Sequence, residues 1–464
     1  MIAEEAKNKI ITFGCRLNAF ESETIKKALQ ASDQKNLIVF NSCAVTNQAE
    51  KDLVLSIKKI RKENPSAKIV LTGCASQINP QKYAKMSEID LIIGNDKKSD
   101  IASYDLNSAV NFKENDFQIN SQDPNNHADQ LFFESQKKSL NFLDQNQEAK
   151  IRVNNIMSVK STAPQLVSYF ENQTRAFLEI QNGCNHRCTF CVIPYGRGNS
   201  RSVALGSIVA QAQKMVANGH NEIVLTGVDI SDYGKDLPVA LTLSQMIKRL
   251  LKLVPELKRL RLSSIDVAEI DDEFLEILAS EPRLMPYLHL SIQSGDDLIL
   301  KRMKRRHNRQ QILDFCEKAR KICPQITFGA DIIAGFPTED VNAFNNSLKI
   351  IEEADIIFSH IFPYSSKAGT PASKMPQLPP NLIKERAKIL RECAEKQLQK
   401  YLSLQINQEF EILMEKNDYG KTHNFLNVKL IDYIKTDEIN NKFLFVKIIK
   451  TQENMLIGKL INKN

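Results

Sequence analysis

Apolar runs and amphipathic stretches alternate along residues 9 to about 100. "KIITFGC" precedes a helical pattern in "ESETIKKALQ", "NLIVFNSC" precedes "AEKDLVLSIKKIRKE", and "KIVLTGC" and "IDLIIGN" follow. Short β-rich runs separated by helices of ten or more residues predict a parallel sheet. Residues 1–104 are therefore expected to form a small α/β domain. The pattern then fades over 105–165. Between about Asp105 and Gln147 the chain is rich in Asn, Gln, Asp and Ser with scattered Phe. Such a composition reads as a polar linker or insertion with little drive to build a core.

A β-then-α rhythm returns over 166–400. The predicted strands are "RAFLEIQ", "EIVLTGV", "LKRLRLSSI", "YLHLSIQ", "ITFGADIIAGF" and "FSHIFPY". Helical patterns such as "SIVAQAQKMVANG" and "NRQQILDFCEKARKI" lie between them. Six strand–helix units predict a (β/α)6-type partial barrel, in which reactive groups sit in the loops after the strands. A Pro-rich break, "GTPASKMPQLPP", precedes a long charged helix at about 381–403. In 401–464, "EFEILMEK", "FLNVKLIDYI", "KFLFVKIIK" and "MLIGKLI" predict the short strands of a small β-barrel. The fold class is α/β, with three architectures in succession.

Charge changes this picture little. A formal net charge of +7 favours an anionic partner, and a basic protein with no such partner fits it equally well. The N-terminal "MIAEEAKNKI" has no apolar run behind it, and no stretch approaches the ~20 apolar residues of a membrane span. A cytoplasmic location is expected, with no membrane partner. In that reducing compartment nine cysteines read as metal or redox chemistry before disulfides.

Cys184, Cys188 and Cys191 stand in "NGCNHRCTFC", in the loop after the first barrel strand. Zinc completed by His186 would strain a very tight loop. A disulfide suits the compartment poorly, and packing explains three cysteines in a polar loop poorly. The remaining reading is a [4Fe-4S] cluster held by three thiolates, with one iron open to a substrate or cosubstrate. Cys15, Cys43 and Cys74 each end an apolar run. Loops at the carboxyl ends of parallel strands converge on one crevice, so these three are expected to meet. They read either as a second three-cysteine cluster or as small buried residues at strand ends. Cys316, Cys323 and Cys393 read as core packing.

C-x3-C-x2-C after the first strand of such a barrel resembles the radical S-adenosylmethionine superfamily. The resemblance implies that S-adenosylmethionine chelates the open iron and is split by one electron to a 5′-deoxyadenosyl radical, with Cys184, Cys188 and Cys191 as the catalytic set. A second open cluster on Cys15, Cys43 and Cys74 makes the chain similar, over nearly its whole length, to the methylthiotransferase family. That likeness includes a C-terminal barrel like the TRAM domain. It implies two [4Fe-4S] clusters, two S-adenosylmethionine molecules, an unidentified electron donor and an RNA or protein substrate. "RAFLEIQNGCNHRCTFCVIPYGRGNSRS" and "EIVLTGVDISDYG" most resemble the branch acting on tRNA N6-threonylcarbamoyladenosine, at C2 of adenosine-37. Sister branches act on N6-isopentenyladenosine in tRNA or on an aspartate of a small-subunit ribosomal protein, and "CNHRC" also resembles the latter. A non-enzymatic metal-cluster RNA-binding protein is the reading from another class. The chain departs from the family in its Asn-rich segment and in a short Cys15–Cys43 interval.

The resemblance also implies cosubstrate contacts. Phe190 lies inside the cysteine loop, where the family has an aromatic residue against S-adenosylmethionine; loop packing is its other reading. Gly227, in "LTGVD", stands where the superfamily more usually has Gly-Gly-Glu. Ser264 ends strand three, Gln293 ends strand four and Asp331 lies in strand five, all positions facing a barrel mouth. Gly335, in "IIAGFPTE", resembles the stretch beside the adenine. The basic run "KRMKRRHNR", residues 301–309, reads as a solvated helix face or as a contact for tRNA phosphates. Phe425, Phe443 and Phe445 read as core rather than as base-stacking platforms.

Overall fold

The computed structural model describes residues 8–105, 129, 132, 144–161, 174–416, 418–431 and 440–461. Most of the polar stretch expected to be a linker therefore lies outside the described residues. The chain forms two compact units that do not follow chain order. The first comprises 1–167, 181–203 and 365–375, and the second 168–180, 204–364 and 376–464.

The first unit is built on five parallel strands in sequential order: Lys9–Thr12, Leu37–Ser42, Lys68–Gly73, Leu91–Ile93 and Ile151–Arg152. Residues alternate between the two sheet faces, and each face takes a helix. Ile25 and Leu29 of helix Arg16–Gln30 share a core with Leu37, Val39, Val70 and Leu91. Leu53, Ile57 and Ile60 of helix Asn47–Glu63 pack with Ile38, Phe40, Ile69 and Leu71. Both faces being covered, the strands carry almost unbroken apolar runs. Residues 181–203 join this unit as a loop closed at its base by the antiparallel pair Gln181–Asn182 and Arg201–Ser202. Residues 365–375 join it through Lys367, whose Nζ lies 2.7 Å from Glu50, and through Ala372 N–H, which donates to Thr189 O at 2.9 Å.

In the second unit, Arg175–Glu179, Glu222–Thr226 and Arg259–Leu262 form a parallel three-stranded sheet. Ser264–Ile265, Tyr287–Gln293, Thr327–Ala334 and Ile356–Pro363 form a parallel four-stranded sheet. The third strand breaks at Ser263 and contributes to both sheets, so the seven segments make six strands in chain order. All six runs read as strands from their apolar pattern are strands. Helix Pro380–Ser403 leads into a closed five-stranded barrel, ordered Glu409–Lys416, Tyr419–Thr422, Asn427–Leu430, Met455–Leu460, Phe443–Gln452. Its core is Ile412, Met414, Leu426, Val428, Val446, Ile448 and Leu456. Tyr419–Thr422 was not among the predicted strands, since "YGKT" is four residues with one apolar ring. Among the described residues, no helix is long and apolar enough to cross a membrane.

Candidate functional site

All six cysteines of interest belong to the first unit. Ser42 pairs with Gly73 in the parallel register, so the residues that follow them, Cys43 and Cys74, leave the sheet side by side. Cys15 follows the neighbouring strand, which pairs Thr12 with Asn41. Cys43 and Cys74 are buried and Cys15 is exposed. Burial, and after it the negative charge of Cys74, pushes the Cys43 thiol up to about 11. Bringing the thiolates together without a cation is thus unfavourable.

A shared backbone device presents these thiols. Gly14, Gly73 and Gly183 immediately precede Cys15, Cys74 and Cys184, and their φ angles are +100°, +101° and +77°. A Cβ on Gly14 would stand 2.7 Å from Cys43 Cβ and 2.9 Å from its Sγ, and one on Gly73 would run into the Ser42 backbone. Only glycine combines this handedness with this closeness. The Gly-Cys dipeptide was the signal in the sequence that could have singled out these turns.

In the 181–203 loop, Cys184 Sγ accepts from His186 N–H at 3.3 Å and Cys191 Sγ from Ile193 N–H at 3.4 Å. Cys191 N–H donates to Cys188 O at 3.1 Å, and Cys184 N–H to Gly198 O at 3.0 Å. The loop continues into helix Ile193–Arg197, in which a Cβ on Gly196 would lie 3.3 Å from Cys74 Cβ. Thus the short helix after Cys191 packs against Cys74. Three thiols in each triad are a donor set that suits a four-iron cluster with one iron left for another ligand.

Sequence reasoning missed the charged group beneath the first triad. Arg197 grips Glu21 with both terminal nitrogens, at 2.8 and 3.0 Å, and Lys98 Nζ lies 2.6 Å from the same carboxylate. All three are buried. Burial alone would raise the Glu21 pKa, but Arg197 and Lys98 hold the carboxyl well below its ordinary range.

The other candidate residues, Phe190 excepted, lie in the second unit. Phe190 is half-buried in the cysteine loop, and Gly227 and Ser264 are half-buried at the ends of their strands. Gln293 ends its strand at φ +70°, beside a register shift. Gly335 has φ +73°, and the space of its missing Cβ is taken by Ile383 of helix Pro380–Ser403. Asp331 Oδ1 lies 2.9 Å from His289 Nε2 and 3.3 Å from His360 Nδ1, while Tyr287 OH is 2.9 Å from His289 Nδ1. The Tyr287–His289 contact passes over Gly329, where a Cβ would clash with both side chains. Burial pushes the Asp331 pKa up, but the hydrogen bonds of His289 and His360 outweigh it and hold the carboxyl well below its usual range.

The basic run is largely spent inside the unit. Arg302 bonds Thr338, Arg305 bonds Asp266 at 2.7 Å, Arg306 pairs with Glu269 and Arg309 with Glu353. Lys301 and Lys304 are its exposed lysines. Phe425 stacks on Tyr287 at 4.4 Å, with Arg261 and Lys421 over its ring. It ties the small barrel to the strands.

Residues 178–351 match the family described as the Radical SAM superfamily, and residues 7–94 match one described as uncharacterized protein family UPF0004. A Rickettsia prowazekii protein named threonylcarbamoyladenosine tRNA methylthiotransferase MtaB is 50% identical over 433 residues, covering 93% of each chain. The chain belongs to the MtaB family of radical S-adenosylmethionine methylthiotransferases. A Clostridium botulinum protein named tRNA-2-methylthio-N(6)-dimethylallyladenosine synthase is 29% identical, over 97% of this chain and 96% of its own. Among solved structures, the radical S-adenosylmethionine methyltransferase TsrM from Kitasatospora setae aligns with a TM-score of 0.51 and 14% identity. That alignment covers 79% of this chain and 75% of TsrM, a likeness of fold. As a member of the MtaB family the chain is a radical S-adenosylmethionine enzyme, with S-adenosylmethionine and [4Fe-4S] chemistry as its cofactors. A non-enzymatic role falls away.

Proposed function

We propose that this enzyme adds a methylthio group to C2 of N6-threonylcarbamoyladenosine at position 37 of tRNA, in the cytoplasm, using two [4Fe-4S] clusters. Cys184, Cys188 and Cys191 hold the first cluster, and Cys15, Cys43 and Cys74 the second. When bound, the first supplies the electron that cleaves S-adenosylmethionine. The observation that carries the reading is the assembly of both cysteine triads in one compact unit, with the helix after Cys191 packed against Cys74. A methylthio transfer needs its sulfur site and its radical site close together, and that packing supports it.

The chain's own residues orient and shield. Phe190, Gly227, Ser264, Gln293, Asp331 and Gly335 are the proposed cosubstrate contacts. Asp331, kept ionised between two histidines, accepts hydrogen bonds and carries a fixed negative charge. Choice of the threonylcarbamoyl branch rests on 50% identity to a relative of that name against 29% to one named for the dimethylallyl nucleoside. Nucleoside mass spectrometry of total tRNA, with and without the gene, tests it. Loss of 2-methylthio-N6-threonylcarbamoyladenosine alone is expected. Loss of the isopentenyl derivative or of a ribosomal-protein mark instead would assign the enzyme to a sister branch. Replacing Cys188 by Ala is expected to abolish 5′-deoxyadenosine release.

A further inference from the structure

The Glu21–Arg197–Lys98 group carries two cations and one carboxylate, a surplus of one positive charge, with side-chain exposures of 0%, 3% and 2%. A buried pair is costly, and an uncompensated third charge is costlier still. Something nearby must balance it. Burial works against the charge on Arg197, and the charges of Cys74 and Glu21, with Cys15 acting more weakly, outweigh it; burial lowers the Lys98 pKa, opposed by the charges of Glu21 and then Cys74.

Two asparagines connect this group to all three cysteine turns. Asn18 accepts from Arg197, lies 3.9 Å from Cys15 Sγ, and donates to Phe13 O at 2.7 Å and to Ser42 O at 3.0 Å. Those carbonyls precede the Cys15 turn and Cys43. Asn95 accepts from Lys98 at 2.8 Å, donates to Gly196 O, and reaches Cys74 Sγ at 3.8 Å. One charged group therefore touches the supports of every ligand in the triad. Its guanidinium arrives from the segment that carries the other triad.

We propose that Glu21, Lys98 and Arg197 form a positively charged seat for the Cys15–Cys43–Cys74 cluster, positioning its ligand turns and raising its reduction potential. The inference rests on the assignment of a [4Fe-4S] cluster to those cysteines. Net charge and hydrogen bonding around the sulfurs are levers on cluster potential. A fixed positive charge stabilises the more negative, reduced state, so its removal lowers the potential.

The test uses the full chain with Cys184, Cys188 and Cys191 replaced by Ala, so that one cluster is read, in a redox titration followed by electron paramagnetic resonance. If this parent protein binds no iron on anaerobic reconstitution, the cluster assignment fails, and the seat with it. If it loads, Lys98→Met is expected to lower the reduced-to-oxidised ratio about tenfold at fixed potential, about 59 mV for a one-electron couple. Lys98→Arg is expected to restore it, and Glu21→Gln to shift it the opposite way. A purely structural role predicts no such reversal of sign. Shifts in the same direction for Lys98→Met and Glu21→Gln, or less than about twofold in each, overturn the seat. Should Glu21→Gln not load, the contrast between Lys98→Met and Lys98→Arg decides: equal potentials overturn the proposal.

Discussion

Two buried arginine–glutamate pairs, one in each unit, look alike and are built for different ends. Arg261 Nε lies 2.8 Å from Glu222, both side chains 1% exposed. Its remaining donors go to the carbonyls of Thr422 and His423, at 2.9 and 2.8 Å. Each nitrogen of that arginine is engaged, two of them by the small barrel, and it packs over Phe425 besides. Arg197 also meets a buried glutamate, but a lysine shares the carboxylate, and the asparagines around them lead to thiols. The first pair closes on architecture. The second is left electrically open toward cysteine thiols. A buried ion pair is weak evidence for either role until its remaining donors are followed.

The largest effect expected is on the architectural side. Arg261→Met leaves Glu222 buried without its bonded partner, with only the charges of Arg175 and Arg259 near it, which should cost about 3–5 kcal/mol in chemical denaturation. A cost below about 1 kcal/mol would break the comparison. Next is Gly73→Ala, which forces a left-handed angle and a Cβ into the Ser42 backbone. Strain of about 1–3 kcal/mol is expected, with loss of about half the bound iron on reconstitution. Asp266→Asn follows. Burial would raise the Asp266 pKa, but the His307 hydrogen bond and the Arg305 charge hold it at about 2. A carboxyl depressed below its unfolded value stabilises fully above that value, and the benefit is lost as pH falls from about 4 through about 2. Asn there should cost about 2 kcal/mol at neutral pH and flatten that part of the stability profile. The smallest effect is expected for Lys98→Met, since Glu21 keeps Arg197. Its stability should stay within about 1 kcal/mol of the parent even as the cluster potential moves. A loss as large as that of Arg261→Met would make both pairs architectural.

Much of the fold could be read from periodicity, because strands covered on both faces are continuous apolar runs, as in "NLIVFNS" and "KIVLTG". Tyr419–Thr422 escaped that reading: it is short, and its place comes from pairing on either side with Glu409–Lys416 and Asn427–Leu430. The six cysteines were legible because each stands at the end of a strand or in one tight loop. Their seat was not. Glu21 sits in an ordinary amphipathic helix, and its partner Arg197 is 176 positions away. No local pattern marks a charge that will be buried by a distant one. The run at 301–309 differs in the opposite sense. Its density suggested solvent or phosphate, and Lys301 and Lys304 are exposed, whereas Arg302, Arg305 and Arg309 reach carbonyls within their own unit.

The discontinuity of the first unit has a consequence for how the protein is made. Cys15, Cys43, Cys74, Glu21 and Lys98 are synthesised early, but Arg197 comes about a hundred residues after Lys98. At about 5–20 residues per second, the ribosome leaves the Glu21 carboxylate without its arginine, 176 positions on, for roughly ten to thirty-five seconds. Residues 365–375, the unit's last piece, follow after a further wait of similar length. Iron delivered to the first three thiols during elongation would meet a half-built pocket. Cluster insertion is thus expected to be post-translational, and nascent chains stalled before residue 197 should not retain it.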